Sequence, residues 1–576
     1  MKLILKYTWR YKKYLLLSVL GVLGFVCIQM GLPTLLKYVI NDALMGENRI
    51  LLLQLVLIML GVVIVGISGE ICMSYANSRI ASNVIRDIRS DIFIKTQSFS
   101  HGEYNEFSVS GLITSTTSDA YQIMLFVQNM LRSATITPIM TITGFVLIIK
   151  NNPQMLWTIL ATVPILLLGI LFINLFSRRY SKAQQSGLDK INRILREGLS
   201  GLRVIRAFGN ENFQEQRFSE VNDEYCIVSK KAFRLTALAQ PGFYFLFNTI
   251  ITLVIWFGSK AIGENTLDVG ALSATIEYIF HILFSFLMLA LLFTMYPRAS
   301  VSAERIQRIL DCDVMISENL EEGKTETRES GTIVFENVTF QYPDAEEPML
   351  KNISFTVNKG ETVAFIGSTG SGKSTLIQLI PRMYDINEGR ILVDGIDVRD
   401  FNIKALRNRI GFIPQKAQLF TGTIADNLRL GNPKASQTEI EKAAQIAQAS
   451  DFIEEKTYKY EEKLSEGGGN LSGGQKQRLA IARAIVKNPE IYIFDDSFSA
   501  LDYATDLNLR TQLRKEITNA TVLIVAQRVG TIRHADKIIV LDEGKIVAWG
   551  THEELLKTSD IYYDIAISQL SEEELA

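Results

Sequence analysis

The sequence predicts a membrane-embedded all-α domain of six helices followed by an α/β domain built around a P-loop. Three observations carry this. Six apolar stretches in the first 300 residues are long enough, or nearly so, to cross a bilayer. After about residue 330 the composition becomes that of an ordinary globular domain with strand patterns. Within it, GSTGSGKST at Gly367–Thr375 fits G-x-x-x-x-G-K-[ST]. The chain's average, 48% hydrophobic yet 21% charged over 576 residues, hides these two halves. A net charge of −2 carries no basic signature, which argues against a nucleic-acid partner. Cys27, Cys72, Cys226 and Cys312 are far apart and form no metal-ligand spacing, so a chain without disulfides is expected. No cleavable signal peptide is expected either: MKLILKYTWRYKKY is basic and aromatic, with no small-residue cleavage site behind it.

The expected spans are Tyr14–Ile40, Leu51–Tyr75, Ala134–Ile149, Leu156–Phe176, Phe243–Gly258 and Leu272–Tyr296, the third and fifth being short or polar-rich. Lysine and arginine set the orientation. Lys2, Lys6, Arg10, Lys12 and Lys13 precede the first span, Arg79, Arg86, Arg89 and Lys95 follow the second, and Arg178, Arg179, Lys182 and Lys190 follow the fourth. The loops NDALMGENR, KNNPQ and SKAIGENTLDVG are short and poor in basic residues. Both termini are therefore expected in the cytoplasm, with Lys2–Tyr14 lying along the inner surface as a basic amphipathic helix. The two long inner loops read as helical, so the spans should continue as rods. Each has one interruption, Ser100–Gly111 and Glu197–Glu211, that suits a turn at the tip. Glu70, Glu277 and His281 are ionisable residues in or near spans. Such groups normally face a bundle interior or water, and Glu277 and His281 share one helix face. Residues 311–330 form a polar, acidic linker between domains at 1–310 and 331–576.

In the second domain ETVAFI reads as a buried strand and LIQLIPRMY as a helix, so the P-loop has the strand–turn–helix setting that it needs. The nine residues Gly367, Ser368, Thr369, Gly370, Ser371, Gly372, Lys373, Ser374 and Thr375 form the cradle. Its backbone N–H groups converge on an anion, the helix N-terminus adds positive dipole, Lys373 brings a point charge for phosphate, and Ser374 offers Mg²⁺ a hydroxyl. The strand IYIFDD ends in carboxylates, and Asp495 is placed to supply the second Mg²⁺ ligand. The surrounding strands suggest a parallel α/β core.

Between these elements lies NLSGGQKQRLAIARA, Asn470–Ala484. With LSGGQ, the P-loop and the six spans, the chain resembles an ABC exporter half-transporter over essentially its whole length: a six-helix transmembrane domain followed by an α/β P-loop ABC-type nucleotide-binding domain. The resemblance implies ATP and Mg²⁺ as cofactors and a head-to-tail dimer, with ATP held between the P-loop of one chain and the signature of the other. It implies that Tyr342 in FQYPD stacks on adenine, that Gln415 in GFIPQ contacts Mg²⁺, and that EGGGN, Glu466–Asn470, is the loop before the signature. SALD, Ser499–Asp502, would touch the opposite nucleotide site. Ser472, Gly473, Gly474 and Gln475, with Leu471, would act in trans on the partner's site. The two loop tips would be coupling helices.

Two positions depart from the family pattern. The glutamate base after the Walker B aspartate is Asp496 here, one methylene shorter, about 1.5 Å of lost reach. The switch histidine is Gln527, within Ala526-Gln527-Arg528; an amide bonds phosphate but cannot shuttle a proton. None of the four histidines, His101, His281, His534 and His552, falls at the switch. This pattern resembles the degenerate-site subunit of bacterial heterodimeric multidrug exporters in the plasma membrane, with a second half-transporter as partner and amphipathic or lipophilic compounds as cargo. The alternatives are a homodimeric exporter, a lipid flippase, a peptide exporter (disfavoured because no peptidase domain precedes the spans) and a nucleotide-gated channel or regulator.

Overall fold

The computed structural model describes residues 1–151, 153, 156–316, 323–327 and 330–569. They form two compact units: Met1–Gln97 with Phe107–Cys312, and Ser98–Glu106 with Asp313–Ala576.

The first unit is helical: α1 (Lys2–Trp9), α2 (Lys12–Tyr38), α3 (Arg49–Gln97), α4 (His101–Phe107, whose first residues belong to the second unit), α5 (Val109–Thr114), α6 (Ala120–Asn151), α7 (Leu156–Ser200), α8 (Leu202–Ala207), α9 (Glu211–Ala237), α10 (Ala239–Gly263) and α11 (Val269–Asp311). Among the described residues five helical stretches are long and apolar enough to cross a membrane: Lys12–Leu44, Arg49–Gln97, Val109–Asn151, Pro241–Gly263 and Val269–Asp311. The fourth expected span, Leu156–Phe176, is helical backbone within α7, and most of its side chains lie outside the described residues. The 49 residues of α3 give a rod of roughly 70 Å, more than twice the ~30 Å hydrocarbon core. The expected interruptions are present. Ser98–Phe99 and Ser108, at φ 53°, bracket α4; Gly201 and Gly209 bracket α8.

The third and fifth spans are longer than the sequence suggests because their polar residues are silenced locally. Beyond the expected limits Asn129 Nδ2 donates to Leu125 O at 2.8 Å and Ser259 Oγ to Trp256 O at 3.0 Å, and within them Thr135, Thr141, Asn248, Thr249 and Thr252 likewise bond carbonyls one turn back. The helices therefore run on through these residues. At the start of the chain, Leu3, Ile4 and Tyr7 are buried; Tyr7 Oη donates to Asp91 at 2.5 Å and Tyr11 Oη to Asp87 at 2.6 Å.

Close helix crossing in the first unit depends on glycine. A Cβ on Gly69 of α3 would lie 2.8 Å from Gly21 O and from Gly24 Cα of α2, whereas one on Gly61 would meet nothing within 4 Å. Gly69→Leu should therefore destabilise the detergent-solubilised protein by about 1–3 kcal/mol or more, as overpacking does, with Gly61→Leu as a near-neutral control. Thermal unfolding checks this; equal midpoints for the two variants would contradict it. Farther along, α6 and α11 run antiparallel. Asp119, 2% exposed at the end of a π-helical turn, accepts from Ser302 Oγ at 2.8 Å and Arg305 Nη2 at 2.6 Å. Thr137 Oγ1 donates to Ser285 O at 3.0 Å.

In the second unit the strands are β1 (Ile333–Phe340), β2 (Leu350–Val357), β3 (Thr362–Gly367), β4 (Glu388–Val393), β5 (Ile396–Asp397), β6 (Ile410–Ile413), β7 (Gly422–Thr423), β8 (Lys463–Leu464), β9 (Ile491–Asp495), β10 (Thr521–Val525), β11 (Lys537–Asp542) and β12 (Lys545–Gly550). The expected parallel core is the sheet β12-β11-β3-β10-β9-β6, parallel except at its edge strand β12. Its central strands are apolar on both faces, β9 being buried throughout, as a sheet covered on both sides requires. An antiparallel sheet, β2-β1-β4-β5, was not foreseen. The connection from β1 to β2 is too short to carry a crossover helix, so the two strands pair with each other. The helix after the P-loop, α12, covers only Lys373–Leu379 and not the whole of LIQLIPRMY. The chain turns left-handed at Arg382, φ 53°, where Arg382 N donates to Leu379 O at 3.0 Å and Met383 N to Gln378 O at 3.1 Å, a C-terminal cap that closes the helix.

Candidate functional site

The site grows from the carboxyl ends of β3 and β9, which flank β10 in the parallel sheet. This edge of an open α/β sheet is where such folds bind ligands. β3 delivers the chain into the P-loop. Gly367 passes so close to β11 that a Cβ there would lie 1.9 Å from Leu541 O. Gly372, at φ 93°, turns the chain in the left-handed region into α12, whose start no side chain caps. Its first N–H groups face outward with the helix dipole behind them. Lys373 is 8% exposed, and its Nζ donates to Gly367 O at 2.9 Å, Ser368 O at 2.6 Å and Ser371 Oγ at 3.2 Å. Burial pushes the Lys373 ammonium below its ordinary pKa, and the carboxylates of Asp496 and Asp495 oppose that shift.

β9 brings in the acidic pair. Ser374 Oγ donates to Asp495 Oδ1 at 2.6 Å, so the hydroxyl and carboxylate expected to share Mg²⁺ are already side by side. Asp495 is 4% exposed, and burial, with Asp496 adding to it, pushes its carboxyl above the usual range. The next residue, Asp496, turns the chain at φ 46°, a conformation that aspartate tolerates better than most residues. Burial raises its pKa as well, against hydrogen bonds from Gln415 and Ser499 and the charge of Lys373.

Asp496 Oδ2 accepts from two amides at once, Gln415 Nε2 at 3.2 Å and Gln527 Nε2 at 3.0 Å. Both departures from the family pattern thus meet on one oxygen, with the loop glutamine as the third member. The switch segment is tied down from behind: Gln569 Nε2 donates to Gln527 O at 2.9 Å, and Gln569 Oε1 accepts from Val529 N at 2.9 Å. Sequence reading missed Gln569, since nothing local marks a glutamine near the C-terminus as a clamp.

Tyr342, half-buried, anchors its hydroxyl to Thr375 Oγ1 at 2.8 Å and sets its ring edge-on to Tyr384 at 5.3 Å. Tyr384 was not foreseen either. Its other face meets the His101 ring at 5.6 Å, and Asn105 hydrogen-bonds its side chain. Burial, then Tyr342, pushes its phenol up to about 12. His101 and Asn105 belong to Ser98–Glu106, which packs as part of this unit. Glu103 pins that segment: its carboxylate accepts from Met315 N at 2.6 Å, from Ser100 N at 2.6 Å and from the Ser100 hydroxyl. Burial alone would raise Glu103, but those hydrogen bonds outweigh it and hold the carboxyl below the usual range.

The signature residues sit apart. Ser472 caps the helix Gly473–Lys487 by accepting from Gln475 N at 3.3 Å, while Gln475 Oε1 accepts from Ser472 N at 3.0 Å, a capping box. The side chains of Ser472 and Gln475 thus bond each other's backbone and not the P-loop, and Ser472 and Gly473 are exposed. All four cysteines are free, and no group of residues that could hold a metal through His, Cys, Asp and Glu alone occurs among the described residues.

In the first unit, Glu70 pairs with Arg132 at 3.2 Å, and Glu277 lies 3.9 Å from His281. His281 and Arg132 line a cavity of about 480 Å³ between helices.

The comparisons with known proteins agree on the family. Residues 15–287 match the ABC transporter transmembrane region and residues 350–499 the ABC transporter model. An uncharacterized ABC transporter ATP-binding protein of Mycobacterium bovis is 37% identical, covering 97% of this chain and 96% of that protein. A putative multidrug export ATP-binding/permease protein of Bacillus subtilis is 32% identical, covering 98% of each. A bacterial Atm1-family ABC exporter with ATP bound shares the fold at a TM-score of 0.79 and 24% identity, covering 97% of this chain and 99% of the other. With its transmembrane region and its ATPase domain in one polypeptide of exporter fold, this chain belongs to the ABC transporter family.

Proposed function

We propose that the chain is one half of a heterodimeric exporter that binds ATP tightly at its own P-loop and hydrolyses it slowly there. Its LSGGQ completes the hydrolytic site of a partner half-transporter. Asp496 carries this reading. The carboxylate at the base position is one methylene short, and one of its oxygens is shared by Gln415 and Gln527. A base must reach the proton it takes within hydrogen-bond distance; the shorter side chain loses reach, and two amide donors hold this oxygen back toward Gln415 and Gln527. The binding parts fit ATP with Mg²⁺: an ammonium, an uncapped helix start, and a hydroxyl beside a buried carboxylate. Lys373 and the P-loop N–H groups would hold the phosphates, and Tyr342 would stack on adenine. Ser374, Asp495 and Gln415 would hold Mg²⁺, which neutralises phosphate charge when bound.

The functional division is 1–310 for the membrane domain, 311–330 for the linker and 331–576 for the nucleotide-binding domain. Both termini and the second domain lie on the cytoplasmic side of a bacterial plasma membrane. The His101–Tyr384–Tyr342 contacts support a coupling role for Ser98–Glu106, which would stand one ring away from adenine stacked on Tyr342. The cargo is an amphipathic or lipophilic compound, a reading supported by the multidrug relative and by the Phe- and Met-rich cavity.

The test is Asp496→Ala in the assembled transporter. Its steady-state ATPase should fall less than tenfold, whereas removing the base on the partner's side should cost the ~10²–10⁴-fold that a base supplies. Equal losses from the two substitutions would contradict the asymmetry.

A further inference from the structure

We propose that the cavity in the helical unit is a binding site for an amphiphile with an anionic head group, and that Arg132 receives the head. The inference rests on the exporter reading and gives it a substrate class. The cavity, about 480 Å³, lies between α2, α6 and α11. Its walls are stripes set by helical spacing. Asn129, Arg132, Ser133 and Ile136 come from one face of α6, and His281, Phe284, Met288 and Leu291 from one face of α11. Phe280 and Phe284 stack at 6.0 Å with their planes 19° apart, giving a flat apolar surface.

The charges are one-sided. Among the described residues the ionisable lining is Arg132 and His281, without a carboxylate. Glu70 and Glu277, the acidic neighbours of these two, lie outside it. Arg132 makes a single hydrogen bond among the described residues, Nη2 to Glu70 Oε1 at 3.2 Å. A guanidinium carries five N–H donors in a planar fork, so most of this one is available to a phosphate, sulfate or carboxylate.

The register of the two helices separates head from tail. Thr137 bonds Ser285 on the antiparallel neighbour. Arg132 is five residues before Thr137 and His281 four before Ser285, which puts them roughly 7 Å and 6 Å to opposite sides of that level. The guanidinium therefore lies at a level between Met288 and Met295 of α11, on the far side of the Thr137–Ser285 level from Phe280, and a tail leaving it toward Phe284 and Phe280 runs onto the stacked rings. A cationic amphiphile would find the aromatic faces but would meet Arg132 as a like charge.

The experiment uses the transporter in the assembly it forms, in nanodiscs for binding and in proteoliposomes for transport. Three fluorescent probes share one dodecyl tail and end in phosphate, a neutral sugar or trimethylammonium. The phosphate probe should bind most tightly. Arg132→Gln should lower its affinity about tenfold or more, the range for losing a hydrogen bond to a charged group. The sugar probe should change less than twofold, and Arg132→Lys should restore part of the phosphate preference. Tighter binding of the trimethylammonium or sugar probe, or an equal loss for all three in Arg132→Gln, overturns the proposal. Phosphate-selective binding without ATP-driven transport of any probe supports the site and sinks the exporter reading. Transport with no head-group preference does the reverse.

Discussion

Gly474→Asp is expected to lower steady-state ATP hydrolysis by the assembled transporter about 10²–10³-fold, the loss typical of removing donors aimed at charge that develops in the transition state. Gly474 is the second residue of the signature helix, and even a Cβ there would lie 3.2 Å from Ala500 O. A carboxylate would also put negative charge where the proposed dimer presents the γ-phosphate of the partner's ATP. Ser472→Ala should act in the same direction by removing the cap hydroxyl that holds Gln475 N, itself worth ~0.5–2 kcal/mol of helix stability. None of this touches the chain's own P-loop, since Ser472 and Gln475 bond each other. ATPase assays on the purified pair decide it: near-normal turnover with Gly474→Asp in place would refute a role for this signature in hydrolysis.

The second large effect concerns the chain purified alone, with the partner verified absent. It should bind ATP yet turn over about 10²–10⁴-fold more slowly than the pair, the loss expected if, as proposed, its own site is without base catalysis. Burial raises the pKa of Asp496, which favours proton acceptance, so on the degenerate-site reading it is the shorter reach of this carboxylate, one oxygen of which two glutamine amides share, that limits it. Brisk turnover by the isolated chain would sink the degenerate-site reading and favour a homodimer.

The contrast between what is legible in the sequence and what is not follows from distance along the chain. A phosphate cradle needs consecutive backbone N–H groups, so the P-loop is written as nine adjacent residues. The signature cap is likewise local, Ser472 to Gln475. The clamp on Asp496 joins three segments that meet only when β6, β9 and β10 align, and no spacing encodes it. Tyr384 and Gln569 are invisible for the same reason: one faces His101 and the other the switch segment, each far away in sequence. The expected span limits fall short where polar side chains beyond them turn back on their own helix, as Asn129 and Ser259 do. A hydropathy average counts the hydroxyl or amide and cannot see the hydrogen bond that satisfies it.

The measurement closest to the central claim is site-resolved nucleotide content. The pair is allowed to turn over with labelled ATP and is then quenched, and the nucleotide crosslinked to each chain is identified. Intact ATP should be retained on the chain that carries Lys373 and Asp496, with ADP accumulating on the partner. ADP formed on both chains at equal rates would contradict it.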